Sequence, residues 1–208
     1  MANLNAPSGL SPVMYRNGNA WNGQVRMYGI AAANTNAIYI GDPLAIDATN
    51  FSDINGITFL TKATAGASMR GVCVGIGLAL PYGFQGGPYV NPNNLNIQYR
   101  PSGAQPTNYY VAVVDDPDLI YEIQEDTSGA PGAAAQMTKN VNLSFGAPAT
   151  GVYLSGAMAL SSSYATTATL NLKVIQAVQR SDNIPFTAYQ KLLVTINNHD
   201  FNAGTVGY

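Results

Sequence analysis

Apolar residues in this chain recur at every second position, and almost nowhere at the 3.6-residue spacing of a helix face. The clearest stretch is TTATLNLKVIQAVQ. Ala168, Leu170, Leu172, Val174 and Val178 share one face there, with Thr167, Thr169, Asn171 and Lys173 on the other. KLLVTIN repeats the pattern, setting Leu192, Val194 and Ile196 against Lys191, Leu193 and Thr195. NAIYIGDPLAI reads as a strand that stops at Gly41-Asp42-Pro43 and resumes at Leu44. In RGVCVGIGLAL, Gly71, Gly75 and Gly77 indicate a bulge or a close backbone approach rather than a helix. NYYVAVV and LIYEIQ are two more short strands, separated by Asp115-Asp116-Pro117. GAAAQMTKN, from Gly132 to Asn140, has helix propensity but no clean 3.6 period, so one or two turns are expected of it at most. Many short strands with turn signals between them predict an all-β chain, an antiparallel sandwich or barrel.

The 208 residues fit a single domain of that class and suffice to bury a core without a disulfide or metal. Two segments stand apart. Residues 1–24 are rich in Asn, Gly, Pro and Ala with Arg16 as their one charge, and read as an extended N-terminal arm. Residues 81–108 carry Pro81, Pro88, Pro92, Pro101 and Pro106 and read as one long loop, of a length that usually carries function. The sandwich domain is then 25–208. Only 10% of residues are charged, against about 25% in a typical soluble domain. Asn, Thr, Ser, Gln and Tyr must therefore cover much of the exterior. Two readings of that surface are open: one covered by partners on assembly, or the polar, uncharged exterior of an extracellular β-protein. A net charge of −2 with scattered Lys and Arg gives no footprint for nucleic acid. No apolar run reaches the roughly 18 residues of a membrane helix, and MANLNAPSGL has no basic start or apolar core of a secretory leader, so neither membrane nor secretion is expected.

Most catalytic chemistry lacks its residues. A zinc site needs three or four suitable ligands, and the chain has one His and one Cys. A Ser-His-Asp hydrolase would have to use His199, in the polar turn NNHDFNAG, and no G-x-S-x-G elbow is present. Cys73 lies in an apolar strand, where a buried, inert thiol is the normal finding. GVCVGIG lacks the third glycine of a dinucleotide fingerprint. The acidic stretch VVDDPDLIYEIQED holds six of the eleven carboxylates: Asp115, Asp116, Asp118, Glu122, Glu125 and Asp126. Pro117 breaks the spacing of a calcium-binding loop. Asp118 and Glu122 would lie roughly 13 Å apart along a strand rising about 3.3 Å per residue, too far for a glycosidase pair. Acids from neighbouring strands leave a loose Ca²⁺ site open, but a turn and a solvated rim is the preferred reading. No catalytic residue and no cofactor or metal is expected.

Several whole phrases, in order, resemble the head cement proteins of tailed bacteriophages. They are APSGLSPVMYRNGNAWNGQVRMYGI, YIGDPLAI, RGVCVGI, DDPDLIYEIQED, SYATTATLNLKVIQAVQRSDN and LLVTINNHDFNAGTVGY, spanning Ala6 to Gly207. The stretch from Pro81 to Thr107 departs from the family's pattern. The resemblance implies a jelly-roll-like β-sandwich, made in the host cytoplasm, on the outside of an icosahedral head. It implies that the major capsid protein is the partner, that the protein is a symmetric homo-oligomer, dimer or trimer, and that it is no enzyme.

An arm of about a dozen residues reaches roughly 40 Å when extended, enough to cross a subunit boundary. Pro7 and Pro12 reduce the entropy lost when it docks. The capsid-facing or neighbour-facing contacts expected are Leu4, Pro7, Leu10, Pro12, Tyr15 and Trp21 in the arm and Tyr82, Phe84 and Tyr89 in the loop. Trp21 is equally readable as a core residue of the first strand. Deleting residues 1–14 is expected to leave a folded protein that no longer binds capsids. The competing class is a virion-surface carbohydrate-binding or host-attachment module, with Tyr82, Phe84, Tyr89 and Tyr99 as its stacking platform.

Overall fold

The computed structural model describes residues 2–77, 97–148 and 151–202. The corner at Asp115-Asp116-Pro117-Asp118 organises the architecture. Strand β8 (Tyr109–Val114) enters it in one sheet, and β9 (Leu119–Gln124) leaves it in another. The turn is closed by the Asp118 N–H donating to Asp116 Oδ1 (2.8 Å) and the Leu119 N–H donating to Asp116 O (3.3 Å). Within β9, Leu119, Tyr121 and Ile123 are buried in the main core and Glu122 points outward, but Ile120 and Gln124 on the other face are buried as well.

The first sheet orders β1 (Ser11–Tyr15), β9, β14 (Lys191–Ile196), β13 (Leu172–Ala177) and β10 (Asn140–Val141). The second orders β2 (Arg26–Ile30), β8, β6 (Gly71–Gly77), β4 (Pro43–Ile46) and β5 (Leu60–Lys62). All pairings in both are antiparallel. The first sheet ends in the edge strands β1 and β10, whereas the outer strands of the second approach one another: Gly29 of β2 forms a parallel bridge to Phe59, just before β5, and its N–H donates to Thr58 O at 3.0 Å. The two sheets pack together as a sandwich. Its main core joins Leu119, Tyr121, Ile123, Leu172, Val174, Leu192, Val194 and Ile196 of the first sheet to Val72 and Val114 of the second. The second sheet is covered on its other face too, where Tyr28, Ile30, Leu44, Leu60, Cys73, Val111 and Val113 pack with Ile38 of β3 (Ile38–Tyr39). That double burial explains why GVCVGIG reads as a continuous apolar run. The bulge expected there lies between Cys73 and Gly75, and a Cβ on Gly71 would meet Val114 O at 2.2 Å.

Three expectations change. The strand in TTATLNLKVIQAVQ begins only at Leu172, and Ala168 is exposed. The preceding backbone is bound by side chains instead of a ladder, with Asn197 Nδ2 donating to Ala168 O and Leu170 O. Residues 1–24 are not a separate arm. Ser11–Tyr15 is the edge strand of the first sheet, paired Ser11↔Glu122 and Tyr15↔Leu119, and Leu10 is fully buried in the main core. The long loop closes earlier than 108, because Tyr99–Arg100 (β7) pairs with β3. The GAAAQMTKN stretch contributes one 3-10 turn, Ala134–Gln136.

Candidate interaction site

The six acids of VVDDPDLIYEIQED disperse once the chain folds. Asp115 Oδ2 accepts from Arg26 Nη1 and Tyr28 Oη, both at 2.6 Å. Asp118 pairs with Arg16 at 3.3 Å, and Glu122 takes both terminal nitrogens of Arg180, at 2.8 and 2.9 Å. Glu125 is buried; it accepts from Tyr164 Oη (2.6 Å), Gln190 Nε2 (2.7 Å) and the Gly132 N–H. Burial pushes its carboxyl above the ordinary value, partly opposed by those donors. Asp126 is also buried, but bonds from the backbone and hydroxyls of Ser161 and Ser128 outweigh burial and hold it below the ordinary value. The remaining carboxylates are engaged as well. Asp42 meets Lys62 and Ser155, Asp47 and Asp53 cap their own loops, Asp182 binds Arg180 and Lys191, and Asp200 binds Arg70. All eleven carboxylates of the chain therefore have a partner within it. Among the described residues no three His, Cys, Asp or Glu side chains converge to hold a metal.

The thiol of Cys73 and the imidazole of His199 are both buried. Burial pushes the Cys73 thiol far up, and the residue is fully enclosed. His199 is buried with Nδ1 accepting the Phe201 N–H at 3.1 Å, while Nε2 has no hydrogen-bond partner among the described residues. Burial lowers its pKa against the pull of Asp200.

What the surface offers instead is apolar and aromatic. Of the arm residues singled out from sequence, Leu4 is 77% exposed, Pro7, Pro12, Tyr15 and Trp21 are half-buried, and Leu10 is core. Tyr15 and Trp21 pack against the main core while staying half-buried, and Trp21 lies in the connection after β1 rather than in the strand. The segment is a strap. Asn3 Nδ2 donates to Ile184 O, Thr187 Oγ1 and Ala188 O, and Asn3 Oδ1 accepts the Ile184 N–H. Gln124 clamps it a few residues on, donating to Leu4 O and accepting from the Ala6 N–H. Downstream, Gly9 crosses Gly41 with both residues at positive φ. A Cβ on either would come within 2.2 Å of a carbonyl oxygen of the other segment. The strap start thus lies against a loop that exposes Ile184 and Phe186. Phe51 and Ile54 on the β4–β5 connection are exposed too, Ile54 completely. None of these four was singled out in the sequence, since an isolated apolar residue in a polar loop carries no periodic signal.

Tyr82, Phe84 and Tyr89 lie outside the described residues. Tyr99 stands in the middle of a stack of three rings, 5.1 Å from Tyr39 and 5.0 Å from Tyr153. Tyr153 is half exposed. No known protein family, no curated protein and no solved structure matches this chain.

Proposed function

We propose that this protein is a capsid cement, or decoration, protein of a tailed bacteriophage. In this reading a jelly-roll-like sandwich binds the outer surface of the head as a symmetric homo-oligomer and stabilises contacts between major capsid protein subunits. The observation that carries it is the apolar edge beside the strap, where Leu4, Ile184 and Phe186 are exposed on a chain whose carboxylates are all engaged internally. The sequence resemblance to head cement proteins points the same way. Burying one such side chain against a partner contributes about 1.5–3 kcal/mol. Several such contacts suffice, because each copy that touches more than one capsid subunit gains from effective concentration. A ligand that binds the closed shell but not opened capsomers stabilises it by RT ln(1 + [L]/Kd), about 2.7 kcal/mol per site at a hundred times Kd. No bond is made or broken and no cofactor takes part.

Rebinding to heads that lack the protein tests this. The wild-type chain should cosediment with heads and raise the temperature at which they rupture. The double variant Leu4→Asp, Phe186→Asp should bind at least tenfold more weakly while melting like wild type. Abundant protein in infected cells with none in purified particles would end the proposal.

A further inference from the structure

The corner that joins the two sheets also walls a groove. Its volume is about 770 Å³, and the β1–β2 connection forms its other side. Such a volume falls within the roughly 300–1,000 Å³ usual for small-molecule sites. The lining is polar: Asn17, Asn19, Asn22 and Gln24 from the connection, Asp116 and Asp118 from the corner, with Arg16 and the ring of Tyr15. From these residues we propose that the groove is a binding site for a neutral, polyhydroxylated ligand, a saccharide.

Asn17 Oδ1 accepts the Asn19 N–H at 3.0 Å and Asn22 Oδ1 accepts the Gln24 N–H at 3.1 Å. Both amides are thereby held in one orientation, and among the described residues their NH₂ groups make no hydrogen bond. Holding them this way removes part of the ordering cost of binding. The side chains of Asn19 and Gln24 make no hydrogen bond within the described residues. Asp116 spends Oδ1 on the turn and Asp118 meets Arg16 through Oδ1, so each carboxylate keeps its Oδ2 as an acceptor. Four amide donors and two carboxylate acceptors around one aromatic ring match vicinal hydroxyls, each of which donates and accepts.

Other ligand classes fit worse. The groove has one cation, Arg16, already set against Asp118, so a phosphate would meet two carboxylates with one shared counter-charge. A lipophilic ligand would find Tyr15 and Ala20 as its only apolar lining. A divalent cation would have two carboxylates at most, one of them engaged by Arg16. The site is independent of the capsid reading and of the stacked tyrosines, which belong to β3, β7 and the segment at Tyr153.

The full chain should be probed on an array carrying neutral oligosaccharides beside sialylated and phosphorylated ones. Dissociation constants for a retained glycan then follow by calorimetry. Wild type should retain neutral glycans. Asn19→Ala combined with Asp116→Asn, which preserves the Oδ1 acceptor of the turn, should weaken binding at least tenfold with an unchanged melting temperature. Tyr153→Ala should bind like wild type. The proposal falls if no neutral glycan is retained, if only charged ones are, or if Tyr153→Ala abolishes retention while the groove variant keeps it.

Discussion

Leu10→Ala is the perturbation that separates a built-in strap from a free arm. Leu10 is 1% exposed, belongs to the main core with Tyr121, Leu143 and Ala159, and donates its N–H to Gly41 O at 3.0 Å. Removing three buried carbons from a site that cannot collapse costs about 2–5 kcal/mol. Collapse is hindered here because the backbone on either side is fixed, by the Gly9–Gly41 crossing before it and by the pairing of β1 with β9 after it. For a domain of this size each kcal/mol lowers Tm by about 2–4 °C, so the variant should melt roughly 4–20 °C lower. Leu4→Ala on the same strap, with its side chain 77% exposed, should stay within about 0.5 kcal/mol of wild type. Urea titration and thermal melts of the two variants supply both numbers. A Leu10→Ala protein within 1 kcal/mol of wild type would refute the strap, and the N-terminal segment would again be an arm. Deleting residues 1–14 strips a core leucine and most of an edge strand, so lost binding would report damage to the fold. Point changes at Leu4 and Phe186 avoid that.

Two further perturbations address the buried polar groups. The folded His199 imidazole titrates below its ordinary value of about 6.5, so between those two pKa values the unfolded chain holds more protons. Stability from His199 is therefore complete above about pH 6.5 and declines as pH falls toward the folded pKa. Unfolding free energies measured by urea between pH 7.5 and 5.5 should fall in wild type and fall less in His199→Phe; equal slopes would rule the histidine out. Arg100 is fully buried and its guanidinium donates to the carbonyls of Asn36 (2.7 Å), Pro101 (3.0 Å), Ala31 (3.3 Å) and Asn34. Arg100→Met removes the donor from the buried carbonyl of Asn34 and the half-buried one of Pro101, while Ala31 O keeps the Asn34 N–H, so a loss of about 1–3 kcal/mol is expected in a denaturant titration. A loss below 1 kcal/mol would show that those carbonyls find other donors.

The parts of the fold that were legible in the sequence are those set by local period. Leu119, Tyr121 and Ile123 fall on one face because a strand has a repeat of two, whatever it pairs with. The bulge in GVCVGIG was legible for a similar reason, since glycines inside an apolar run leave few other options. What failed was set by partners far along the chain. Leu10 is core because Glu122 and Tyr121 pair with Ser11 and Pro12, and nothing in a segment of Asn, Pro and Gly announces that edge. Tyr39, Tyr99 and Tyr153 stack across separations of more than fifty residues, so only Tyr99 was within reach of a local argument, and for a different set of neighbours.

The acidic stretch shows why density along the chain is a poor guide to density in space. A corner that hands the chain from one sheet to the other, followed by a strand, sends successive side chains to different places. Asp115 goes to Tyr28 and Arg26, Asp118 to Arg16, Glu122 outward to Arg180, and Glu125 and Asp126 into separate polar pockets. Such dispersal has a consequence for the surface. With 10% of residues charged, a net charge of −2 and Asp42, Asp115, Asp118, Glu122, Asp182 and Asp200 ion-paired inside the chain, the field available to steer a partner from a distance is weak. Recognition has to come at contact range, from amides, hydroxyls and exposed rings. Both the apolar strap edge and the amide-lined groove are surfaces of that kind, and the affinity of either should depend only weakly on salt.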